Sequence, residues 1–357
     1  MIRGAGPWGT GPYKLVEGFS TPEKRSDRLV LEANTSYWDK SRSPRLRRIV
    51  FDNTLTQKEA VELVQSGEGR VDLVTEISAL ETLEVAQSPF AQVVKNRGAL
   101  RTMFAQFNSR KPQSPWTDVR LRRAANLAID RADLIRYAAK GNGTIVPAML
   151  AVQAFGFDPK LAPYPFDSAR ARALLREAGY PDGLTITLLA PEHLNVQATV
   201  IGKMLEQGGF KVAQEVLSPN AFNRKFTLGF LDQPAEQQSW DIALTQQGDA
   251  ANFPLLNFYH QQLVGGPYDW GGEKPELRRL YEQVGLTVDP ARQRDLLQQM
   301  ERQSHEQAYA LFLYNPTLLY AANKAVEFVP YASAFLMLHE TGVTDQHWSV
   351  RKGGKNK

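Results

Sequence analysis

The sequence contains no cysteine, so the side chains to examine first as metal ligands are histidines and carboxylates. Two His-Glu pairs, at residues 305–306 and 339–340, begin the pattern H-E-x-x-H, which places two imidazoles around zinc on one helix face. The fifth residue is Tyr309 in the first case and Val343 in the second. Neither segment can form that site, and the lack of cysteine also excludes thiolate metal sites and cysteine nucleophiles.

Motifs for phosphate binding and nucleophilic catalysis are missing or incomplete. Gly4, Gly6 and Gly9 fit G-x-G-x-x-G, but no predicted strand precedes them and Pro7 interrupts the loop, which argues against dinucleotide binding. The sequence has neither a G-x-x-x-x-G-K-[ST] loop nor a G-x-S-x-G nucleophile elbow. We therefore predict a protein that is not an enzyme and has no cofactor and no metal.

Length and composition bound the class of protein. A chain of 357 residues is too long for one compact core, and 43% apolar with 22% charged residues is typical of globular proteins. The net charge is +4, and the basic residues alternate with acids, so no nucleic-acid partner is predicted. No apolar run is long enough to span a bilayer, and glycine and proline occupy the place of an export signal's apolar segment.

The elements that must position any site follow an α/β pattern. Residues 184–216 read strand, helix, strand, which predicts a βαβ unit with a parallel pair and a right-handed crossover. Two long polar helices, 275–286 and 290–307, lead into a strand at 310–314. Other predicted strands are 13–17, 29–32, 46–51, 71–74, 92–95, 102–107 and 240–245. Other predicted helices run from Thr54 or Thr56 to Gly67 and over 80–86, 119–128 and 167–178, and Asp130 can cap a continuation of the helix over 119–128 to residue 140.

A polar, proline-rich stretch, NSRKPQSP at residues 108–115, indicates a point where the chain crosses between lobes. The predicted division is lobe I over residues 1–108, lobe II over 109–317, and a return to lobe I over 318–357.

A series of motifs runs in order along most of the chain. They are GTGPYK (9–14), LVLEANTSYWD (29–39), FDNTLTQKEAVELVQSGEGRVDLV (51–74), FNSRKPQSPWTDVRLRRAANLAIDRADLI (107–135), GFDPKLAPYPFDSARARALLREAGYPDGLTITLL (156–189), WDIAL (240–244) and ALFLY (310–314). In this collinear order they resemble the family 5 extracellular solute-binding proteins, the dipeptide-, oligopeptide- and nickel-binding proteins of ABC importers.

The resemblance implies a periplasmic-binding-protein-like fold of class II, family 5 type. Two α/β lobes, joined by crossing hinge strands near residues 103–109 and 311–315, would close on a ligand. Family members carry a long segment before the GTGPYK-like motif, so we expect lobe I to be incomplete here and the start to be truncated.

The function implied is that of the substrate-binding component of an ABC importer, which captures a peptide-like or other polar organic solute by hinge closure. Its partners would be that small-molecule or peptide ligand and, transiently, the importer's permease, through which alone it meets the membrane. We expect a monomer in the periplasm or outside the cell. Alternatives are the ligand-sensing domain of a regulator and a hydrolase, and the solute class stays open between peptide, opine, sugar and nickel complex.

In peptide-binding members an aspartate in the loop after the WDIAL-type strand anchors the ligand's α-ammonium group. Asp249 is the acid of the corresponding loop here, but it matches only if the alignment shifts by one residue. Gln247 stands at the usual tryptophan position, and Leu244 at that of an arginine found in some peptide binders. Asp249 is therefore a predicted ligand contact whose alternative role is that of a turn residue.

Further predicted ligand contacts each have a structural alternative. Amide side chains in this loop would hydrogen-bond a polar solute or be ordinary exposed loop residues. Residues at the two crossings would face the ligand or pack in the core. An aromatic in the Gly-rich loop would stack on the ligand as a lid or anchor the packing. These residues are Gln246 and Gln247 in the loop, Phe104, Gln106 and Asn108 at the first crossing, Tyr314 at the second, and Trp270 in the Gly-rich loop. The motif residues Asp118, Arg120, Arg122 and Asp130 are predicted to be structural because of their helical spacing.

Overall fold

The computed structural model describes residues 9–20, 26–227, 237–249 and 252–351, so Gly4 and Gly6 lie outside the described residues. Contacts divide the chain into two compact units. The first unit comprises Met1–Asn96, Leu318–Tyr331 and Phe335–Lys357, and the second comprises Arg97–Thr317 and Ala332–Ala334. The lobe boundaries given above stay a prediction. The contacts of the strand that precedes residue 108 place it in the second unit.

The strands in the described ranges include every strand that the sequence predicts. In chain order they are β1 (Tyr13–Glu17), β2 (Arg28–Ala33), β3 (Arg48–Asp52), β4 (Leu73–Val74), β5 (Ala91–Asn96), β6 (Arg101–Phe107), β7 (Gly143–Ile145), β8 (Leu184–Pro191), β9 (Phe210–Leu217), β10 (Ile242–Gly248), β11 (Ala310–Pro316), β12 (Leu318–Asn323), β13 (Val326–Glu327) and β14 (Gly342–Val343).

The longer helices are α1 (Gln57–Ser66), α2 (Glu81–Gln87), α3 (Val119–Ala128), α4 (Arg131–Ala138), α5 (Ser168–Glu177), α6 (Asn195–Gln207), α7 (Pro275–Leu286) and α8 (Pro290–Glu306). Shorter helical segments include Pro115–Thr117, Glu192–Leu194, Pro219–Phe222, Asn223–Thr227, Leu255–His260 and Gln261–Leu263. Within the described part of the chain, none of these helices combines the length and the apolar character needed to cross a membrane.

Side-chain caps fix several helix starts. Thr56, rather than Thr54, caps α1 in a capping box with Glu59, and Asp118 and Asp130 cap α3 and α4 by accepting backbone N–H bonds. The helix predicted over 119–128 is confirmed as α3, and the continuation capped by Asp130 is a separate helix, α4, because Ile129 has extended backbone angles.

Two predicted strands have different bounds. The strand predicted over 71–74 is reduced to Leu73–Val74, where β4 pairs with β12. The strand predicted over 240–245 begins at Ile242 and extends to Gly248, because this run pairs with β6 along its whole length. Trp240 instead packs in an aromatic cluster before the strand.

The first unit contains antiparallel sheets. In its described residues β1-β2-β3 form one sheet, β4-β12-β5 a second, and β13-β14 a third. A cluster of Val61, Val64, Val85 and Leu319 packs α1 and α2 on the second of these sheets.

The second unit is built on a mixed sheet. Its described residues form six strands in the order β7-β11-β6-β10-β8-β9. β8 is parallel to β9 and to β10, whereas β6 is antiparallel to β10 and β11. The predicted parallel pair with α6 as its crossover is therefore confirmed, and the architecture is α/β with a mixed sheet.

Both faces of this sheet are covered by apolar clusters. The first cluster packs α3–α6 on one face and includes Met103, Ala105 and Phe107 of β6. The second cluster packs α7, α8 and the segment Leu255–His260 on the other face, where Phe104 points. Successive strand residues point to opposite faces, which is why β6 alternates between the two clusters.

Arg131, the last residue of the Ala-Ile-Asp-Arg motif, satisfies buried carbonyl groups around α4. Its guanidinium donates to the carbonyl oxygens of Phe312, Ile129 and Tyr164, and to both the carbonyl and Oδ1 of Asn126. Burial lowers the pKa of Arg131 to about 10. Because a planar guanidinium supplies several fixed donors, no other side chain can satisfy this set.

We expect Arg131→Lys to lower the free energy of unfolding by about 2–4 kcal/mol, since a lysine leaves several of these buried acceptors unpaired. Urea unfolding followed by the fluorescence of the buried Trp116, Trp240 and Trp270 measures the change. Arg279→Lys, at an exposed ion pair with Glu276 on α7, is the control and should leave the unfolding midpoint unchanged. Equal midpoints for the two variants would contradict the assigned role.

Glu301 is a fully buried carboxyl group on α8, at the second cluster. Its Oε1 accepts hydrogen bonds from Tyr259 Oη (2.6 Å) and the Met149 N–H (3.2 Å), and its Oε2 accepts one from the Leu150 N–H (3.2 Å). Met149 and Leu150 lie in a buried segment without regular structure, whose N–H groups need partners inside the protein. Burial raises the pKa of Glu301 from 4.5 to about 7, against the effect of these hydrogen bonds.

This raised pKa predicts that stability falls as pH rises. The folded protein holds the Glu301 proton more tightly than the unfolded chain, so the contribution is complete below about pH 4.5 and lost as pH passes about 7. Relative to Glu301→Gln, the wild-type chain should lose about 3 kcal/mol of unfolding free energy between pH 4.5 and pH 8. Urea unfolding at several pH values tests this, and a constant difference between the two proteins would rule it out.

Candidate functional site

The predicted loop glutamines lie on opposite faces of the mixed sheet. In the β6–β10 register Gln246 pairs with Met103, whose side chain belongs to the first cluster. Gln247 pairs with Thr102 and shares its face with Phe104 and Gln106. The sequence treated the two glutamines as equivalent, but the strand geometry brings only Gln247 toward the other predicted polar residues.

A chain of amide groups runs along that face. Gln106 Nε2 donates to the carbonyl oxygen and to Oε1 of Gln262, at 2.9 and 3.1 Å, and Gln262 Nε2 donates to Gln247 Oε1 at 3.1 Å. Gln247 Nε2 in turn donates to the Gly248 carbonyl. Gln106 Oε1 is buried and accepts no hydrogen bond from any described residue. The row therefore ends in an acceptor that a ligand donor would satisfy.

Asp249 follows β10 directly and is fully buried. Its N–H donates to the Leu100 carbonyl at 2.7 Å, which fixes the backbone at the end of the strand. Asn257 Nδ2 donates to Asp249 Oδ1 at 3.1 Å. The other carboxylate oxygen, Oδ2, is buried and has no hydrogen-bond partner among the described residues. An unpaired buried carboxylate oxygen is costly, and a cationic or N–H donor would relieve that cost.

The other buried carboxylates in the described part of the second unit have both oxygens bonded. Glu301 accepts the three bonds given above. Asp269 accepts from Lys274 Nζ and from backbone N–H groups, and Asp158 accepts from Arg302 and the Lys160 N–H. Burial lowers the pKa of Lys274 while Asp269 acts in the opposite direction. In this set, Asp249 alone has a carboxylate oxygen without a hydrogen-bond partner among the described residues.

The predicted aromatic contacts lie inside packed clusters. Phe104 belongs to the second cluster and Tyr314 to the first, where burial raises the pKa of Tyr314 to about 12. Trp270 packs edge-on against Trp240, at 4.8 Å between ring centroids, and stacks on Phe226. All three predicted aromatics are almost fully buried, so the structure gives each the packing role that the sequence left as its alternative. Ligand contact by any of them stays a prediction.

Asn108 has a structural environment of the same kind. Its Nδ2 donates to the Trp240 carbonyl and its Oδ1 accepts from the Arg110 N–H, so both ends of the amide are used within the second unit. Asn108 therefore ties the end of β6 to the segment before β10, and it is not brought to the amide row. Within the described ranges, no cluster of three or more histidines and carboxylates could hold a metal ion.

Sequence reasoning missed Gln262, Asn257 and Glu301. No local pattern marks Gln262 or Asn257, because their hydrogen-bond partners lie in other elements. The partners of Gln262 are on β6 and β10, and the partner of Asn257 follows β10. Glu301 had a signal: it lies four residues after Leu297, on the face of α8 that also carries Met300. An acid at that spacing on an apolar helix face is a buried acid.

Comparison with known proteins gives partial matches to curated binding proteins. The chain is 28% identical over 177 residues to heme-binding protein A of Haemophilus influenzae, across 50% of this chain and 30% of that protein. It is 29% identical over 209 residues to the glutathione-binding protein GsiB of Pectobacterium atrosepticum, across 58% of this chain and 38% of that protein. The matches thus span less than two fifths of these relatives.

Solved structures share the fold. The periplasmic binding protein DppA from Helicobacter pylori, in complex with the peptide STSA, superposes with a TM-score of 0.76 at 20% identity, over 94% of this chain and 63% of that one. NikA from Brucella suis, in complex with Fe(III)-EDTA, gives a TM-score of 0.77 at 20% identity, over 94% and 68% of the two chains. The predicted periplasmic-binding-protein-like fold is confirmed by these neighbours.

The family resemblance read from the motifs is tested by a family model. The model described as "Bacterial extracellular solute-binding proteins, family 5 Middle" matches residues 3–269, which include β1 to β10 and the whole amide row. The chain belongs to the family 5 bacterial extracellular solute-binding proteins.

Proposed function

We propose that this chain is the ligand-binding component of an ABC importer and captures a peptide-like or other polar organic solute without chemical conversion. The observation that carries the proposal is the Asp249 carboxylate, which is fully buried, with one oxygen bonded by Asn257 and the other without a partner among the described residues. Its place directly after β10, in a member of this family, supports its role as the ligand anchor.

The chemistry of the open oxygen favours a solute that carries an ammonium group. A charged N–H···O bond to a desolvated carboxylate is among the strongest hydrogen bonds in proteins, and it removes the cost of the unpaired oxygen. The bond formed on binding therefore recovers the desolvation cost of that oxygen. A neutral amide at the same position would keep the shape and lose the charge.

The amide row supports a polar rather than an apolar solute. Gln106 Oε1 is a second buried acceptor without a partner among the described residues, and it lies on the same face of the sheet as Gln247. Amide groups select ligands by hydrogen-bond geometry, because a ligand analogue that lacks the matching donor leaves the amide oxygen unpaired. Peptide bonds and ammonium groups supply such donors, whereas a hydrocarbon would leave the acceptors unpaired.

Two relatives suggest the solutes to examine first. GsiB is a glutathione-binding protein, and DppA was solved with the tetrapeptide STSA. Both solutes carry an amino group and peptide bonds. The proposal also includes a transient permease partner and a periplasmic or extracellular location.

We expect titration calorimetry of the full chain to detect binding of glutathione or of the tetrapeptide Ser-Thr-Ser-Ala. Asp249→Asn should weaken that binding by about tenfold to a hundredfold, because it removes a charge-assisted hydrogen bond worth about 1.5–3 kcal/mol. The same substitution should raise the melting temperature, since it removes an unpaired buried charge.

The matched control is Asp182→Asn, which makes the same charge change at an exposed turn. It should leave affinity and melting temperature unchanged. Absence of binding of both solutes by the wild-type chain would reject the peptide class, and unchanged affinity in Asp249→Asn would reject the anchor.

A further inference from the structure

The buried carboxyl group of Glu301 is connected to the Asp249 loop through one short helical segment. Tyr259, whose hydroxyl donates to Glu301 Oε1 at 2.6 Å, lies in the segment Leu255–His260. Asn257 lies in the same segment and donates to Asp249 Oδ1 at 3.1 Å. A continuous set of contacts therefore runs from the core of the second unit to the candidate ligand anchor.

The orientation of the Asp249 carboxylate depends on this segment. The bond from the Asp249 N–H to the Leu100 carbonyl fixes the backbone but leaves the side chain free to rotate. Among the described residues, Asn257 supplies the one hydrogen bond to the carboxylate. The position of the Asn257 side chain therefore sets the orientation of the Asp249 carboxylate, including the unpaired Oδ2.

Packing and backbone hydrogen bonds hold this segment in place. Leu255, Phe258 and Tyr259 pack their side chains into the second cluster, and the His260 carbonyl accepts a bond from the Gly266 N–H. Apolar packing is not directional, so it does not by itself select one hydrogen-bond geometry for Asn257. The Tyr259–Glu301 bond is short, fully buried and directional, and it adds a defined direction to this packing.

A buried carboxyl group is costly unless its oxygens accept hydrogen bonds, and both oxygens of Glu301 accept them. Glu301 also bonds the N–H groups of Met149 and Leu150, which gives it a fixed position from which to hold Tyr259.

We propose that Glu301 is a positioning residue for Asp249: through the Tyr259 hydroxyl it fixes the segment Leu255–His260, whose Asn257 orients the Asp249 carboxylate. The ligand-binding consequence rests on the proposed function, whereas the positioning of Asp249 does not. The test therefore has one arm without ligand and one with ligand.

The first arm measures hydrogen exchange of the Asn257 side-chain amide, which donates to Asp249 Oδ1, by NMR with no ligand present. Tyr259→Phe removes only the hydroxyl and should raise this exchange rate about tenfold, while backbone amides of β8 stay protected. Tyr180→Phe, at a partly buried tyrosine that packs against the first cluster, is the control and should leave this rate unchanged. Unchanged exchange of the Asn257 side-chain amide in Tyr259→Phe overturns the proposal, whatever the ligand is.

The second arm measures affinity for glutathione and for Ser-Thr-Ser-Ala. Tyr259→Phe should weaken binding roughly threefold to tenfold, and Glu301→Gln, which keeps a carbonyl acceptor for Tyr259, should retain most of the affinity lost in Glu301→Leu. Because Tyr259 acts through Asn257, the double variant Tyr259→Phe/Asn257→Ala should bind no more weakly than Asn257→Ala alone.

If the losses of affinity in the two single variants add in the double variant, Tyr259 and Asn257 act independently, and the proposed connection through Asn257 is overturned. If the wild-type chain binds neither solute, the proposed function fails, and the exchange measurements still decide whether Glu301 positions Asp249. The melting temperature of each variant, measured alongside, separates loss of orientation from loss of the fold.

Discussion

Burial of β6 on both faces is the constraint on which the second unit depends. The strand lies between β10 and β11, and its side chains alternate between two apolar clusters. Polar residues on such a strand must find partners inside the protein, because no water reaches them. Asn315 donates a hydrogen bond to Thr102, and Gln106 donates to Gln262. The polar residues of the strand therefore bind elements distant in sequence, as its apolar residues do.

The elements of the fold were predictable because their signals are local. Helix caps such as Asp118 and Asp167 lie within three residues of the N–H groups that they bond, and the strand periodicity of residues 184–216 needs no distant partner. The order of the mixed sheet was not predictable in this way. It depends on pairings such as β6 with β11, which join residues about two hundred positions apart and leave no trace in local composition.

The candidate site was predictable only in part, for a related physical reason. Asp249 was predicted because it is the one acid in the loop after a recognisable strand, and its contact with a ligand stays a prediction. The burial of its carboxylate and the single bond from Asn257 are three-dimensional facts that its neighbours in sequence do not encode. Gln246 and Gln247 show the limit most clearly: they are adjacent and chemically identical, and strand pleating places them on opposite faces.

The second unit uses the same chemical group for opposite purposes. At Asp269 and Glu301 the fold supplies donors to both oxygens, so each carboxyl group becomes a rigid connection within the protein. At Asp249 Asn257 donates to Oδ1, and Oδ2 has no hydrogen-bond partner among the described residues. Stability alone would favour a partner for that oxygen, as at the other buried carboxyl groups of the same unit. On the proposed function this difference serves reversible binding, because an unsatisfied group held rigidly by satisfied ones makes its missing bond only when the solute binds.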